Sequence, residues 1–111
     1  MADVSRDILF DVDLAQPLTV THVEARRIRM GPGVAAGPHV HNGPVVGTVV
    51  EGSVVFQVED GPETVLRPSD SFFEPAGVRI SRFDAQDDGV VFHAFFPLAD
   101  GQQSELTPLR P

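Results

Sequence analysis

Short apolar runs broken by glycine and proline make up most of this chain. The runs cover residues 8–12, 18–30, 45–50, 53–59, 63–66, 71–73, 78–83 and 90–96. Some alternate apolar with polar residues, as a half-buried strand does, and none carries a helical stripe through three turns. Turn signals lie between them: Gly31-Pro32-Gly33, Asn42-Gly43-Pro44, Asp60-Gly61-Pro62, Pro68-Ser69-Asp70 and Asp87-Asp88-Gly89. Many short strands at regular spacing predict an all-β protein, an antiparallel sandwich or barrel. At the N-terminal end, Ile8, Phe10 and Val12 alternate in the manner of an edge strand, an arm able to pair with a second subunit in a homodimer. Residues 98–111 hold Pro108 and Pro111 and few apolar residues, which predicts a loosely held tail. The expected organisation is therefore an arm over 1–19, a barrel over 20–97 and a tail over 98–111.

Composition narrows the chemistry. A chain of 111 residues suits one domain with a core of its own. The net charge is −8, with eight arginines and no lysine, which argues against nucleic acid as a partner. The N-terminus lacks the basic start and apolar run of a secretory signal, and no stretch reaches the length that spans a bilayer. The expectation is a cytoplasmic protein without membrane contact. Cysteine is absent, so disulfides and thiolate ligands are excluded and any metal must be held by imidazole and carboxylate.

Of four histidines, two stand one residue apart, His39 and His41. In an extended segment residues i and i+2 point to the same side, so the two rings can share one metal ion. Two imidazoles alone hold a divalent ion weakly, and further ligands are needed. His93, mid-strand in the run 90–96, is the first candidate; its bland alternative is a satisfied core histidine. His22 faces inward if the alternation of His22, Glu24, Arg26 and Ile28 does, and is otherwise a surface residue. Glu74, just before Pro75, is a candidate ligand or general base, because an apolar cavity raises a carboxyl's pKa. Eight phenylalanines with no tyrosine or tryptophan imply an apolar interior suited to a small hydrophobic substrate.

The layout resembles the cupin superfamily of small β-barrels. The first cupin motif places a glycine, five residues, His-x-His, three or four residues, a glutamate, six residues and a glycine. Gly33, His39, His41 and Gly52 fall in that register, with Val45 (or Val46 at the longer spacing) at the glutamate position. The second motif places a glycine, five residues, Pro-x-Gly, two residues, a histidine, three residues and an asparagine. Here Ser69, Pro75, Gly77, Ile80 and Asp84 stand at those points. The resemblance covers roughly residues 20–97 and implies a cupin-type β-barrel, an antiparallel jelly-roll sandwich in one domain. It departs from the family at two ligand positions, Val45 and Ile80.

The resemblance implies a metal-dependent enzyme holding one divalent ion, zinc being favoured and iron, nickel and manganese the alternatives. His39, His41, His93 and His22 would then be the metal set and Glu74 the proton-transfer group. Small single-domain cupins of this kind include aromatic polyketide cyclases, which stabilise an enolate in a dry cavity. An iron or nickel dioxygenase, or a cupin that binds a small molecule without turnover, are the alternative expectations.

Overall fold

The computed structural model describes residues 3–110 and holds seven strands and no helix: β1 (His22–Met30), β2 (His39–His41), β3 (Val45–Val58), β4 (Thr64–Leu66), β5 (Ser71–Glu74), β6 (Ile80–Leu98) and β7 (Leu106–Pro108). Every strand pairing is antiparallel. No helix among the described residues is long and apolar enough to cross a membrane.

Two long strands organise the sandwich, because each passes from one layer to the other. In the first layer β1 pairs with residues 90–98 of β6, these pair with the start of β3, and β5 closes the far edge. In the second layer β4 pairs with the end of β3, which pairs with the start of β6; β2 and β7 follow. The passage needs bends, and β3 and β6 supply them as register shifts between Val49 and Glu51 and between Gly52 and Val54. Gly52 sits at the bend with φ 73°, and a Cβ built there would overlap the Gly89 carbonyl. Both the left-handed backbone and the close approach demand glycine. Asp87-Asp88-Gly89, expected to end a strand, is instead a bulge within β6, fastened where Ser53 Oγ hydrogen-bonds the Gln86 and Asp88 side chains.

The core follows the two-residue period. On β6, Phe92, Ala94, Phe96 and Leu98 face inward, against Val45, Val49 and Val54 of β3. Phe72, Phe83 and Phe92 pack as tilted and edge-to-face rings 4.9–5.8 Å apart. Each such ring buried contributes roughly 1.5–3 kcal/mol.

Both chain ends differ from the sequence expectation. No residue between 3 and 21 is in a strand: Phe10 packs on Phe73 at 6.1 Å, whereas Ile8, Leu9 and Val12 remain exposed. The segment expected as an edge strand thus lies outside every strand of this chain. The expected tail instead contributes β7, which pairs with β2 along His39–Pro108, Val40–Thr107 and His41–Leu106. Asn42 secures it, accepting from the Glu105 N–H and donating to the Gln103 carbonyl. Prolines suggested a tail, but Pro108 sits on an edge strand, where a missing N–H is tolerated.

Gly52→Ala tests the bend. It should lower stability by about 3 kcal/mol or more, read as a shift in the urea midpoint, because neither bend backbone can yield. A loss within 1 kcal/mol would mean that the crossing strands tolerate a relaxed bend.

Candidate metal centre

The His-x-His pair is held by backbone on every side. β2 is three residues long with the pattern buried, half-buried, buried, so His39 and His41 both point between the layers. One edge of β2 pairs with β7, and on the other His39 pairs with Ile80 of β6. The Gly77 N–H donates to the His41 carbonyl at 2.9 Å, tying the Pro75-Ala76-Gly77 turn to the same strand. This turn follows Glu74, the last residue of β5, so it also fixes where that carboxylate begins.

Glu74 reaches the histidines from the opposite layer. Its Oε1 lies 2.8 Å from His41 Nε2 and 3.7 Å from His39 Nε2. One ligand atom from each of His39, His41 and Glu74 lies within 4.8 Å of the others, and all three residues are buried. His39 Nδ1 donates to the Gly37 carbonyl at 2.7 Å. A carbonyl only accepts, so this bond puts the proton of neutral His39 on Nδ1 and frees the Nε2 lone pair for the centre.

Mutual contacts shift two members of the trio, Glu74 and His39. Burial alone would push the Glu74 carboxyl up, but contacts with His39 and His41 outweigh it and hold the group below its ordinary value. The sequence expectation of a raised carboxyl pKa is corrected here, because the two rings more than offset desolvation. Burial disfavours the His39 cation, yet the Glu74 carboxylate and the Gly37 carbonyl raise it overall.

The residues fit a divalent metal. Two imidazoles and a carboxylate converge on one point, a donor set used by zinc and by non-haem iron. His41 Nδ1 is buried without a hydrogen-bond partner. A metal held at Nε2 would leave that atom unpaired as well, so the fit rests on the two Nε2 atoms and Oε1 that converge.

Two expected ligands are elsewhere. His93 is on β6 between inward Phe92 and Ala94, so it points out of the sandwich, and Arg27 Nε donates to its Nε2 at 3.3 Å. His22 is exposed at the start of β1, with only Thr21 Oγ1 near at 3.4 Å. The structure brings together two histidines and a glutamate, not the four histidines expected. Val45, at the family's glutamate position, is the cross-strand partner of Glu74. The carboxylate absent from β3 is thus restored by its neighbour on β5.

The trio forms one wall of a cavity of about 150 Å³, whose other walls are apolar, among them Ile28, Met30, Phe92, Phe96 and Leu106. Leu106 comes from the segment expected as a tail, and no sequence signal pointed to it. Larger concavities lie near Ser53 and Arg67 (about 660 Å³), beneath the arm (about 480 Å³) and beside Arg26, Arg27 and His93 (about 200 Å³), and none is lined by the trio.

Residues 26–90 match the cupin domain family, and the chain belongs to it. An RmlC-like cupin from Shewanella frigidimarina is 30% identical with a TM-score of 0.61, over 71% of this chain and 68% of that one. A chain from the crystal structures of the DMSP lyases RdDddP and RnDddQII has a TM-score of 0.67 at 22% identity, over 77% of this chain. This chain spans 44% of that lyase chain. Oxalate decarboxylase from Bacillus subtilis, described with Mn(II) centres, has a TM-score of 0.65 at 20% identity, over 78% of this chain and 24% of that one. At such identities the last two show the fold. No curated protein matches the chain.

Metal uptake separates the inner residues from the outer ones. His39→Ala, His41→Ala or Glu74→Ala should each weaken zinc binding about 100-fold or more, by competition with a chromophoric chelator, while His93→Ala and His22→Ala leave it unchanged. Loss of uptake in His93→Ala would return that residue to the site.

Acidity has a signed effect. His39, raised above its ordinary 6.5, stabilises the metal-free fold at low pH and ceases to as pH rises through its folded value. Glu74, held below its ordinary 4.5, stabilises above that pH and ceases to as pH falls through its folded value. His39 and Glu74 therefore stabilise the stripped protein most between these limits. Urea midpoints should be higher at about pH 5.5 than at about pH 8, and His39→Asn should shrink the difference. Metal affinity should run the other way, rising with pH as His39 loses its proton.

Proposed function

We propose that this chain is a metal-dependent cupin enzyme acting on a small carbonyl compound with an apolar body. The observation that carries the reading is the buried trio His39, His41 and Glu74 in one wall of an otherwise apolar cavity. His39 and His41 would hold the ion through their Nε2 atoms and Glu74 through Oε1. Zinc is proposed first, because two histidines, a glutamate and an open position are its catalytic set. Bound there, the ion would supply a Lewis-acid charge that stabilises an enolate oxygen.

The protein's own groups do the rest. Both imidazole contacts of Glu74 are made through Oε1, which leaves Oε2 outside them. Oε2 is the base we assign to the proton beside the substrate carbonyl, and Glu74 is ionised for the task. Phe92, Phe96 and Leu106 exclude water and orient the apolar body.

Polyketide cyclisation uses the same chemistry on a longer chain. A cavity of about 150 Å³ is benzene-sized, so we assign smaller substrates. One observation favours a second reading: two histidines and a carboxylate are also the set of non-haem iron oxygenases.

The test is exchange of the protons beside the carbonyl of cyclohexanone in deuterated water. The zinc-loaded protein should accelerate exchange beyond free zinc, and Glu74→Gln at saturating zinc should lose about 100-fold or more of the rate. Exchange equal to that of free zinc would sink the carbonyl reading. Tightly held iron with oxygen uptake would favour the oxygenase.

A further inference from the structure

A cation stands one aromatic ring away from this cavity. On β1, Ile28 and Met30 line the cavity, and the two-residue period puts Glu24 and Arg26 on the same face, further along the strand. Their partners on β6 confirm that face: Glu24 lies opposite Phe96, Arg26 opposite Ala94 and Ile28 opposite Phe92. The Arg26 guanidinium lies over the Phe96 ring, 5.2 Å from its centroid. The same ring stands 6.2 Å from the ring of His41. One aromatic side chain therefore separates Arg26 from the metal-binding trio, and the cavity lining itself contains no arginine.

We infer that the substrate is an anion, a short carboxylic acid carrying the reacting carbonyl about one ring's width from its carboxylate, and that Arg26 determines this specificity. The inference rests on the cavity being the substrate site, as proposed above. Arg26 is paired with Glu24, but both side chains are partly exposed, at 48% and 37%. An exposed pair is worth about 0–1 kcal/mol, so an incoming carboxylate can take the place of Glu24 at small cost. A guanidinium presents two parallel N–H groups to a carboxylate and can remain stacked on a ring as it does so. The acid's apolar body then lies along Phe96 with its carbonyl directed at the trio. A guanidinium that only packed on Phe96 would make the same ring contact but show no preference for charge.

Calorimetric titration with levulinate and its neutral analogue acetonylacetone tests the assignment, on zinc-loaded protein and on protein stripped by chelator. Levulinate should bind about fivefold more tightly than acetonylacetone in both forms. Arg26→Gln should abolish that preference without changing acetonylacetone binding. Glu24→Gln, which frees Arg26, should tighten levulinate and leave acetonylacetone unchanged. Equal binding of the two probes by the wild type, or unchanged levulinate affinity in Arg26→Gln, overturns the inference. Failure to take up zinc would sink the metal reading alone, since the stripped protein still decides the role of Arg26.

Discussion

Burying the Glu74 carboxylate between two sheets demands compensating charge, since a lone anion in an apolar interior would instead take up a proton. His39 and His41 meet the carboxylate from the facing layer, and their positions follow from the shortness of β2. Three residues give one outward and two inward side chains, so the pair cannot be rotated away without unpairing β2 from β7 and Ile80. Two glycines at positive φ, 77° at Gly37 and 69° at Gly77, bring backbone groups to the pair. Gly37 offers a carbonyl to His39 Nδ1, and Gly77 donates its N–H to the His41 carbonyl. Ring orientation and strand position are thus fixed by backbone, which side-chain replacements elsewhere leave in place.

That arrangement requires the two layers to keep their separation, and β3 and β6 set it. β3 carries Val45 beside Glu74 at one end and pairs with β4 at the other. β6 begins with Ile80 beside His39 and ends with Phe96 against His41. β3 therefore meets the trio's surroundings in one layer and braces the other, while β6 meets them from both. The bends at Gly52 and Gly89 turn two strands into a sandwich, which is why they matter to a site they do not touch.

The fold and half of the site were legible in the sequence, for reasons tied to particular residues. His39 and His41 could be paired because an isolated His-x-His flanked by glycine and proline has one plausible backbone, an extended one. His93 could not be placed. Val90, Val91, Phe92, Ala94, Phe95 and Phe96 are all apolar, so the run lacks the alternation that reveals which side faces inward. A shift of one residue in that assignment exchanges core and surface. Glu74 was recognisable as a candidate, but its partnership with Val45 is a matter of register between distant segments. β7 was missed because its stability lies in pairing with β2 and in Asn42, neither visible in residues 106–108.

The departures from the cupin motifs make chemical sense together. Facing side chains on paired strands have Cβ atoms about 4.5–5.5 Å apart, so a glutamate moved from Val45 to its partner on β5 can still present an oxygen near the same point. Losing the motif glutamate therefore does not remove the carboxylate. Losing the second-motif histidine does remove a donor, since Ile80 is fully buried and offers none. With three donors in place of four, a divalent ion held here would keep one further position open towards the apolar cavity. One carboxylate would also leave that ion a net positive charge, so an anionic oxygen would be drawn towards it.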